Sequence, residues 1–330
     1  MNLIDVSKRF ASDEACLGYL EKMRWPEGVA CLKCQSMHVC TVTKKEGKRE
    51  RFSKKLGKTV EVRVPAQQGY QCLDCDHQFS CTAGTIFHDT HLPLHKWFLA
   101  VAILCDAKKS MSANQMMRHL GIGSYRTAWY LNHRIRKAMA EITGASEKMT
   151  GTVEVDETYI GGKYDKRRKR ERWNKDPVVG IIARGGKVRT FPVKRVNAWN
   201  VVNKIKEHVS TEAELVITDE SKIYDRLPRH GYQHDIVNHS RKEYVRGEVH
   251  TNHIENQWSL FKRGVIGSFH KISIKHLHRY LAEFDYRFNN RESENLFALT
   301  IINLLIGIAI QYKELVADPD ASSDESTEPF

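Results

Sequence analysis

From residue 152 onward, apolar and polar positions alternate in a way that predicts β-strands separated by short turns. Apolar residues recur at every second position in "TVEVDETYIGG", and the pattern stops at two glycines. The segments "VVGIIAR" and "KVRTFPVKRV" flank another glycine pair and predict a hairpin. A helix is expected over residues 198–209, followed by the short apolar strand "ELVITDE" and a brief helical piece around Tyr224. The stretch "YQHDIVNH" predicts one more strand.

The stretch "HTNHIENQWSLFKR" that follows has the spacing of an amphipathic helix. Ile254, Trp258 and Phe261 recur at i, i+4 and i+7 and form one apolar face, with Glu255 at its border. By itself the stretch is explained by an ordinary helix with a solvated charge pair. As the last element it completes the order β-β-β-α-β-α-β-α. That order predicts a mixed sheet flanked by helices, an α/β ribonuclease H-like domain over residues 150–294.

Residues 93–145 are predicted to be helical. The segment "LHKWFLAVAILCDAKK" has a wide apolar face, and "SMSANQMMRHLGIGSYRTAWYLNHRIRKAM" contains two helices around a glycine turn. Ser112 and Ser124 are placed to cap these two helices. A short helix, a glycine turn and a longer basic helix form a helix-turn-helix pattern, so Arg134 and Arg136 are expected to contact DNA. Because glycine turns between helices are common, this pattern is only moderately specific.

The C-terminal part of the chain combines an apolar run with an acidic tail. The run "LFALTIINLLIGIAI" is too short to span a bilayer and includes Thr300 and Asn303, so it predicts a buried helix or an oligomer contact within residues 295–316. Residues 317–330 hold five acids and no base, and their lack of apolar periodicity predicts disorder. The first twenty residues mix charges throughout, unlike a signal peptide. A soluble, cytoplasmic protein with no membrane partner is therefore expected.

Four of the eight cysteines form the pairs "CLKC" and "CLDC". In a cytosolic chain such pairs favour metal binding over disulfides, and zinc takes four thiolates in a tetrahedron. The thiols predicted to hold one structural Zn²⁺ are Cys31, Cys34, Cys72 and Cys75. A redox dithiol and an iron–sulfur cluster are the alternatives. The long basic segment between the pairs predicts a zinc ribbon with a basic β arm over residues 12–90, with Cys40 and Cys81 as spare thiols.

The formal net charge of +12 is carried by both halves of the chain. Residues 1–150 hold 23 basic and 14 acidic side chains, and residues 151–316 hold 29 and 21. Such an excess suggests a polyanion partner, most simply nucleic acid; a basic protein without such a partner is the alternative. The run "KYDKRRKRERWNK" is expected to contact the DNA backbone, although a solvated loop or a nuclear-localisation signal would also explain it. These contacts are predicted for Lys166, Arg167, Arg168, Lys169 and Arg170.

Three acids occupy matching places in the predicted α/β domain. Asp156 lies on the first strand, Asp219 ends the fourth strand, and Glu255 lies on the helix after the last strand. Each one alone is best explained as a surface carboxylate or a helix cap. Together at one end of the sheet they would repel each other unless cations lay between them, and Mg²⁺ prefers oxygen ligands of this kind. Two such ions about 4 Å apart would suit phosphodiester chemistry.

Several of these stretches together resemble the DDE-type insertion-sequence transposases that carry an N-terminal zinc ribbon. The resemblance covers about residues 14–305. It rests on "VEVDETYIGGK", "VITDESKIY", "VNHSRKEYV" and "HTNHIENQWSLFKR", together with the two cysteine pairs. It implies a multidomain protein in which Asp156, Asp219 and Glu255 form the catalytic triad.

The resemblance also implies an activity. Such an enzyme cuts double-stranded DNA at the terminal inverted repeats of a transposon and joins the freed 3′-hydroxyl to target DNA. It would use two Mg²⁺ ions, with Mn²⁺ as a substitute, and act as a homo-oligomer on DNA in the bacterial nucleoid. Lys262, with Arg263 beside it, would contact the DNA end, and His250 and Asn252 would position substrate. The rivals are a zinc-ribbon DNA-binding regulator with an inactive nuclease-like domain, and a structure-selective nuclease or resolvase.

Overall fold

The structure, a computed structural model, describes most of the chain. The described residues are 1–45, 47–53, 57–64, 67–143, 147–161, 175–241, 243, 245–308 and 311–316. The acidic tail and five predicted DNA contacts lie outside them; these contacts are Lys166, Arg167, Arg168, Lys169 and Arg170. Among the described helices, none has the length and apolar content needed to cross a membrane.

Two helices and a small three-stranded sheet form the N-terminal part. The helices are α1 (Leu3–Arg9) and α2 (Asp13–Arg24). The strands are β1 (Val39–Lys44), β2 (Gly47–Ser53), β3 (Lys58–Val64), β4 (Gln67–Cys72) and β5 (Gln78–Phe79). Strands β1, β4 and β5 form one antiparallel sheet in that order, and β2 pairs with β3 as a separate hairpin. This hairpin corresponds to the β arm that the sequence predicts.

A helical bundle follows the ribbon. It contains α3 (Leu94–Asp106), α4 (Ala113–His119) and α5 (Tyr125–Thr143), and it recruits α9 (Leu296–Ile306) from near the C-terminus. Phe10, just after α1, packs edge-on against Phe98 and stacks on Phe297 at the centre of this core. Leu20 of α2 is buried in the same core. Helix α2 therefore packs on the helical bundle, although the predicted ribbon boundary included it.

A five-stranded mixed sheet forms the second half. Its strands are β6 (Thr152–Gly161), β7 (Lys175–Ala183), β8 (Val188–Pro192), β9 (Leu215–Asp219) and β10 (His234–Val237). Their order is β10-β9-β6-β7-β8, with β6, β9 and β10 parallel and β7 antiparallel to both of its neighbours. Helix α6 (Ala198–His208) joins β8 to β9, and α7 (Asn252–Gly264) follows β10. The predicted order of elements is confirmed, and the piece around Tyr224 is a 3₁₀ turn, Lys222–Tyr224.

The two faces of this sheet carry different helices. Because successive residues of a strand point to opposite faces, β6 serves both. Val153 and Val155 lie in the core that includes Val201 of α6. Ile160 lies in the opposite core, which is built with α7 and with α8 (Ile274–Asn289). Helix α8 also packs against α5, and so the helical bundle lies next to the α7 face of the sheet.

The helix pair α4–α5 contains the expected glycine turn, and the Ser112 side chain caps α4. The two arginines predicted to contact DNA, however, point into the protein, with only 4% of Arg134 and 2% of Arg136 exposed. Arg136 Nε donates to Glu283 Oε2 of α8 at 2.7 Å, and Arg134 donates to a backbone carbonyl. The structure contradicts their predicted role as DNA contacts, because both side chains are buried and both guanidinium groups donate to acceptors within the protein.

The C-terminal helix predicted as one element is two. Helix α9 ends at Ile306, where Gly307 takes extended backbone angles, and α10 (Tyr312–Val316) follows. Thr300 and Asn303 of α9 are both buried, and each finds a hydrogen-bond partner in the core. The prediction of a buried helix is therefore confirmed for α9.

Candidate active site

Asp156 and Asp219 lie side by side on neighbouring parallel strands. Strands β6 and β9 pair in a constant register that ends with Glu154 opposite Ile217. The same offset, carried two residues further, sets Asp156 beside Asp219. Aligned residues of parallel strands point to the same face, and neighbouring strands lie about 4.8 Å apart. The sheet therefore brings two of the three predicted acids together.

The Asp156 carboxylate is held by the helix above it. Trp258 Nε1 of α7 donates to Asp156 Oδ2 at 2.9 Å. Opposite Asp156 on β7 is Gly180, where a Cβ would lie 2.4 Å from Trp258 Cζ2 and 2.7 Å from Ile254 Cδ1. Gly180 thus leaves the space in which the indole sits. Sequence reasoning missed this residue; the available signal is a glycine inside an otherwise apolar strand, which often marks a close approach.

Burial and neighbouring carboxylates raise the pKa of both strand acids. For Asp156, burial is the largest cause, followed by the charges of Glu157 and Asp219, and the pKa rises to about 7. Burial also raises the pKa of Asp219, and Glu220 adds a like charge. Buried carboxylates that repel each other ionise more easily beside a cation. The electrostatics of this pair therefore suit a site that receives positive charge.

Glu255 lies in the first turn of α7, at the rim of this pair. Its Oε1 accepts from Thr251 Oγ1 at 2.7 Å and is 3.6 Å from His239 Nε2. His239 follows β10, and its charge lowers the pKa of Asp219, so it lies near both acids. Among the described residues, the ligand atoms of Asp156, Asp219 and Glu255 do not all come within 4.8 Å of one another. The Glu255 side chain is 48% exposed, so it lies open to solvent at this rim.

The start of α7 is fixed by a carboxylate from the sheet. Glu154 is fully buried, and its Oε2 accepts from the backbone nitrogens of His253 and Ile254 at 2.9 and 3.2 Å. The residue that precedes α7, Thr251, makes no side-chain cap of its own. Since the first amides of a helix need acceptors, Glu154 does the work of a cap from a distant strand. Arg184 Nε donates to the same carboxylate at 2.9 Å.

This contact links the two parts of the acidic site. Glu154 lies two residues before Asp156 and therefore on the same face of β6. One strand thus carries an acid of the pair and also fixes the helix that carries Glu255. Sequence reasoning missed Glu154, although its alternating position in "TVEVDE" placed it on the Asp156 face.

Glu154, His250 and His253 also bring ligand atoms within 4.8 Å of one another, which is close enough for a metal site. Arg184 argues against that interpretation. Its Nη2 lies 3.1 Å from His250 Nδ1, while its Nε holds the Glu154 carboxylate. A guanidinium group inside the cluster would repel a metal ion, so we interpret the set as an ionic network around the buried Glu154 carboxylate. His250 takes part in this network, and its expected role in positioning substrate stays a prediction.

Two further acids stabilise the loops around Asp219. On the opposite face of β6, Glu157 accepts from the hydroxyl of the buried Tyr224, and burial raises the pKa of Glu157. Glu220 accepts from the backbone nitrogens of His239 and Ser240. The hydrogen bond from the Ser240 side chain is the largest cause that lowers the pKa of Glu220 to about 2. These contacts fix the turns after β9 and β10.

The four predicted zinc ligands converge in the ribbon. The Sγ atoms of Cys31 and Cys75 are 3.7 Å apart, and those of Cys34 and Cys72 are 3.5 Å apart. Four thiolates at tetrahedral corners, each about 2.3 Å from a zinc ion, would be about 3.8 Å from one another. The set therefore fits Zn²⁺ closely. Cys40 and Cys81 lie outside this group, as the sequence predicts.

Exposed basic residues follow the acidic site along α7. Lys262 and Arg263 are both exposed, and Arg263 Nε donates to the carbonyl of Ser259 at 3.2 Å. Asn252, the first residue of α7, is also exposed. Their predicted contacts with DNA and substrate stay predictions, because exposure alone does not identify a ligand.

A cysteine ribbon followed by a mixed α/β domain with paired acids is the organisation of a transposase, and comparison with known families supports this class. Residues 148–289 match the ISXO2-like transposase domain, and residues 11–78 match the transposase zinc-ribbon domain, both of the IS1595 group. The chain belongs to the IS1595-type transposases with an N-terminal zinc ribbon.

Individual relatives agree with this family. A protein of the transposable element ISH50 from Halobacterium salinarum is 28% identical over 298 residues, covering 85% of this chain and 92% of the relative. A transposase-like protein from Haemophilus influenzae is 31% identical over 113 residues, covering 34% of this chain and 89% of its own. Among solved structures, the Mos1 strand transfer complex overlaps 62% of this chain and 77% of its own, with 11% identity and a TM-score of 0.23. An overlap this weak carries no argument.

Proposed function

We propose that the chain is a DDE transposase that cuts the ends of its element and joins the freed 3′-hydroxyl to target DNA. The observation that carries the proposal is the shared register of β6 and β9, because it pairs Asp156 with Asp219 beneath the helix that bears Glu255. Along the chain, β6, β7 and β8 form three antiparallel neighbours, and β9 and β10 then add two strands parallel to β6. The resulting order β10-β9-β6-β7-β8 supports a ribonuclease H-like domain.

Divalent ions fit this donor set. Asp156 and Asp219 are buried carboxylates whose pKa values are raised, so positive charge placed between them would offset both burial and repulsion. Asp156, Asp219 and Glu255 would hold two Mg²⁺ ions, which accept only oxygen ligands readily, and Mn²⁺ would substitute. When bound, such ions activate the attacking oxygen and stabilise the leaving oxygen of a phosphodiester.

The residues of the chain would prepare both reaction steps. Trp258 orients the Asp156 carboxylate, and Thr251 holds one oxygen of Glu255. Water would first attack the phosphodiester at the transposon end, and the 3′-oxygen would leave. The resulting 3′-hydroxyl would then attack a target phosphodiester at the same site, so no covalent bond between protein and DNA is needed. The exposed Lys262 and Arg263 would grip phosphates near the reacting bond.

The remaining parts would recognise DNA and keep the enzyme assembled. The zinc ribbon and the helical bundle would bind the terminal inverted repeats as a helix-turn-helix-like module. A homo-oligomer would bring two ends together, because each end needs an active site. We place this assembly on the nucleoid of a bacterial cell, where its substrate lies.

A joining assay tests the proposal. A donor plasmid with the element's own flanking DNA as ends would be incubated with Mg²⁺ and either wild-type protein, Asp219→Asn or Asp225→Asn. Asp225 is an exposed acid of the same loop, so its variant controls for the loss of one charge. We expect joined products from wild type and Asp225→Asn and none from Asp219→Asn. Joining by Asp219→Asn at the wild-type rate would remove this acid from the catalytic set.

The same assay separates the rival functions. A DNA-binding regulator would bind the ends and give no Mg²⁺-dependent products. A resolvase or other nuclease would cut without joining and would prefer branched DNA to linear ends. Either result with well-folded wild-type protein would reject the transposase proposal.

A further inference from the structure

A cleft of about 550 Å³ lies between the helix pair α4–α5 and the segment that follows α7. Arg118 and Tyr125 line it from the helix pair, and His270 and Lys271 line it from the other side. The rest of its wall includes Arg136, several serine hydroxyls and the aromatic rings of Trp129, Phe269 and Tyr280. Among the described residues, no aspartate or glutamate lines this cleft. It is therefore a positively charged cleft with aromatic walls.

Several of its cations are available to a ligand. Arg118, His270 and Lys271 are exposed, and within the described part of the chain Arg118 and Lys271 form no ion pair. His276, in the wall, is surrounded by other basic residues. Burial first, and then the charges of Arg279 and nearby cations, lower its pKa to about 4. The surface thus resembles the mixture of basic and aromatic side chains that binds nucleic acid backbones.

The segment that brings His270 into the cleft has unusual backbone geometry. After α7 the chain forms a π-helical turn, Val265–Phe269, and His270 then takes a φ of 60°, a conformation that residues with a side chain rarely adopt. Short π-helical turns and strained residues occur preferentially where proteins bind ligands. Val265 and Phe269 of this turn pack against the core beside α8, whereas Ile266 is 73% exposed.

The cleft lies in line with the acidic site. Helix α7 carries Glu255 in its first turn, exposes Lys262 two turns later, and leads into His270 fifteen residues after Glu255. At 1.5 Å per helical residue, the cleft lies roughly 20 Å from the acidic site. DNA rises about 3.4 Å per base pair, so this distance corresponds to about six base pairs.

We infer that the cleft binds the backbone of double-stranded DNA about six base pairs from the bond that reacts. Arg118 and Lys271 contact phosphates, His270 assists them, and Tyr125 packs against the sugar–phosphate edge. This inference rests on the proposed function, since it takes the enzyme's DNA as the ligand. Under this inference the helix pair α4–α5 still contacts DNA, but through Arg118 and Tyr125 and not through the buried Arg134 and Arg136.

Another polyanion competes with DNA as the occupant. The last described residue is Val316, whose carbonyl accepts a hydrogen bond from Lys275, beside the cleft. The acidic residues 317–330 follow directly in the sequence. We favour DNA as the occupant because Glu255 and Lys262 are exposed along α7, and the cleft lies beyond them at His270.

The salt dependence of DNA binding tests the inference. Full-length protein with its zinc would be titrated onto two duplexes of equal length, one from the element's end and one unrelated, over a range of KCl. Two lost phosphate contacts should reduce the slope of log K against log[salt] by about 1.8. We expect this reduction, on both duplexes, for Arg118→Gln/Lys271→Gln. The matched variant Lys187→Gln/Lys206→Gln removes two exposed cations of the β7–β8 turn and of α6, and should keep the wild-type slope.

Four results would decide the matter. A wild-type slope in a folded Arg118→Gln/Lys271→Gln protein would overturn the inference. The second result compares two proteins that both lack residues 317–330, one with the cleft substitutions and one without. Equal DNA binding by these two proteins would also overturn the inference, because the acidic tail would then be the occupant of the cleft. If wild-type protein joins ends and the cleft variant binds DNA normally, the inference about the cleft is rejected and the proposed function is kept. A reduced slope with no joining by wild type rejects the proposed function and keeps the cleft.

Discussion

Replacing Gly180 with alanine should disturb the acidic site from the neighbouring strand β7, on the same face of the sheet. Gly180 pairs with Asp156 across β6 and β7 and lies beneath the indole of Trp258. An added Cβ would be 2.4 Å from Trp258 Cζ2 and 2.7 Å from both Trp258 Cη2 and Ile254 Cδ1. The atoms that it meets belong to α7 side chains packed in the core, so they cannot swing away into solvent.

The cost follows from these distances. Carbon atoms in contact normally lie about 3.5–4.0 Å apart, so the helix must retreat by about 1 Å or its side chains must leave their rotamers. Overpacking of this kind destabilises the folded state by about 1–3 kcal/mol. Alanine also lowers the conformational entropy of the unfolded chain, which offsets at most about 1 kcal/mol of that loss. A shift of about 1 Å in a reacting group can lower a rate by about 100-fold. We expect a net loss of about 1–2 kcal/mol in unfolding free energy and a larger fractional loss in joining.

Urea unfolding and the joining assay measure the two effects. Gly18→Ala is the matched control, because Gly18 lies inside α2 with nothing within 4 Å of an added Cβ, and should gain about 0.5–1 kcal/mol. Trp258→Phe removes the benzo ring that the new Cβ would strike. The double variant should therefore lose about 1 kcal/mol less than the sum of the single variants. Gly180→Ala protein as stable and as active as wild type would refute this account of the site.

Three further substitutions test other parts of the structure. Cys72→Ser should lower bound zinc from one equivalent to none and unfold the ribbon, because zinc binding supplies folding energy; an unchanged zinc content by atomic emission would reject the ligand assignment. Glu154→Gln should cost about 3 kcal/mol in urea unfolding, since Arg184 loses its buried partner, whereas the exposed control Glu212→Gln should change little. Burial raises the pKa of Asp285 to about 8, so its ionisation opposes folding: stability should fall by up to about 1.4 kcal/mol per pH unit between pH 4 and 8, and Asp285→Asn should remove that slope. Parallel pH profiles of wild type and Asp285→Asn would contradict this reasoning.

The sequence was sufficient for features that depend on local periodicity. Strand alternation identified β6, and helical spacing identified the buried face of α7, where Ile254, Trp258 and Phe261 are all at most 4% exposed. The cysteine pairs identified their cluster, because metal-ligand spacing is written directly in the chain. Asp219 ends its strand as predicted, since the change from apolar to acidic residues marks the edge of the sheet.

Features that depend on long-range packing were beyond this reasoning. Arg134 and Arg136 lie on a basic helix, and only the position of α8, with its buried Glu283, shows that Arg136 is an internal residue. The helix-turn-helix pattern alone predicted both arginines as DNA contacts. Gly180 and Glu154 were missed for the same reason, because their partners on α7 are more than 70 residues away. A pattern shows which face a residue occupies, but not which element covers that face.

The position of Glu255 is decided by residues other than Glu255. The start of its helix is fixed by Glu154, whose carboxylate accepts the amides of His253 and Ile254. One turn later, the same helix is pressed onto the sheet at Gly180, where Trp258 reaches Asp156. Glu154 lies on β6, the strand that carries Asp156, and Gly180 lies on the neighbouring strand β7. The distance between the strand acids and Glu255 is therefore set by backbone and core contacts. Glu255 can then remain half exposed without losing its place, as its proposed contact with ions and DNA requires.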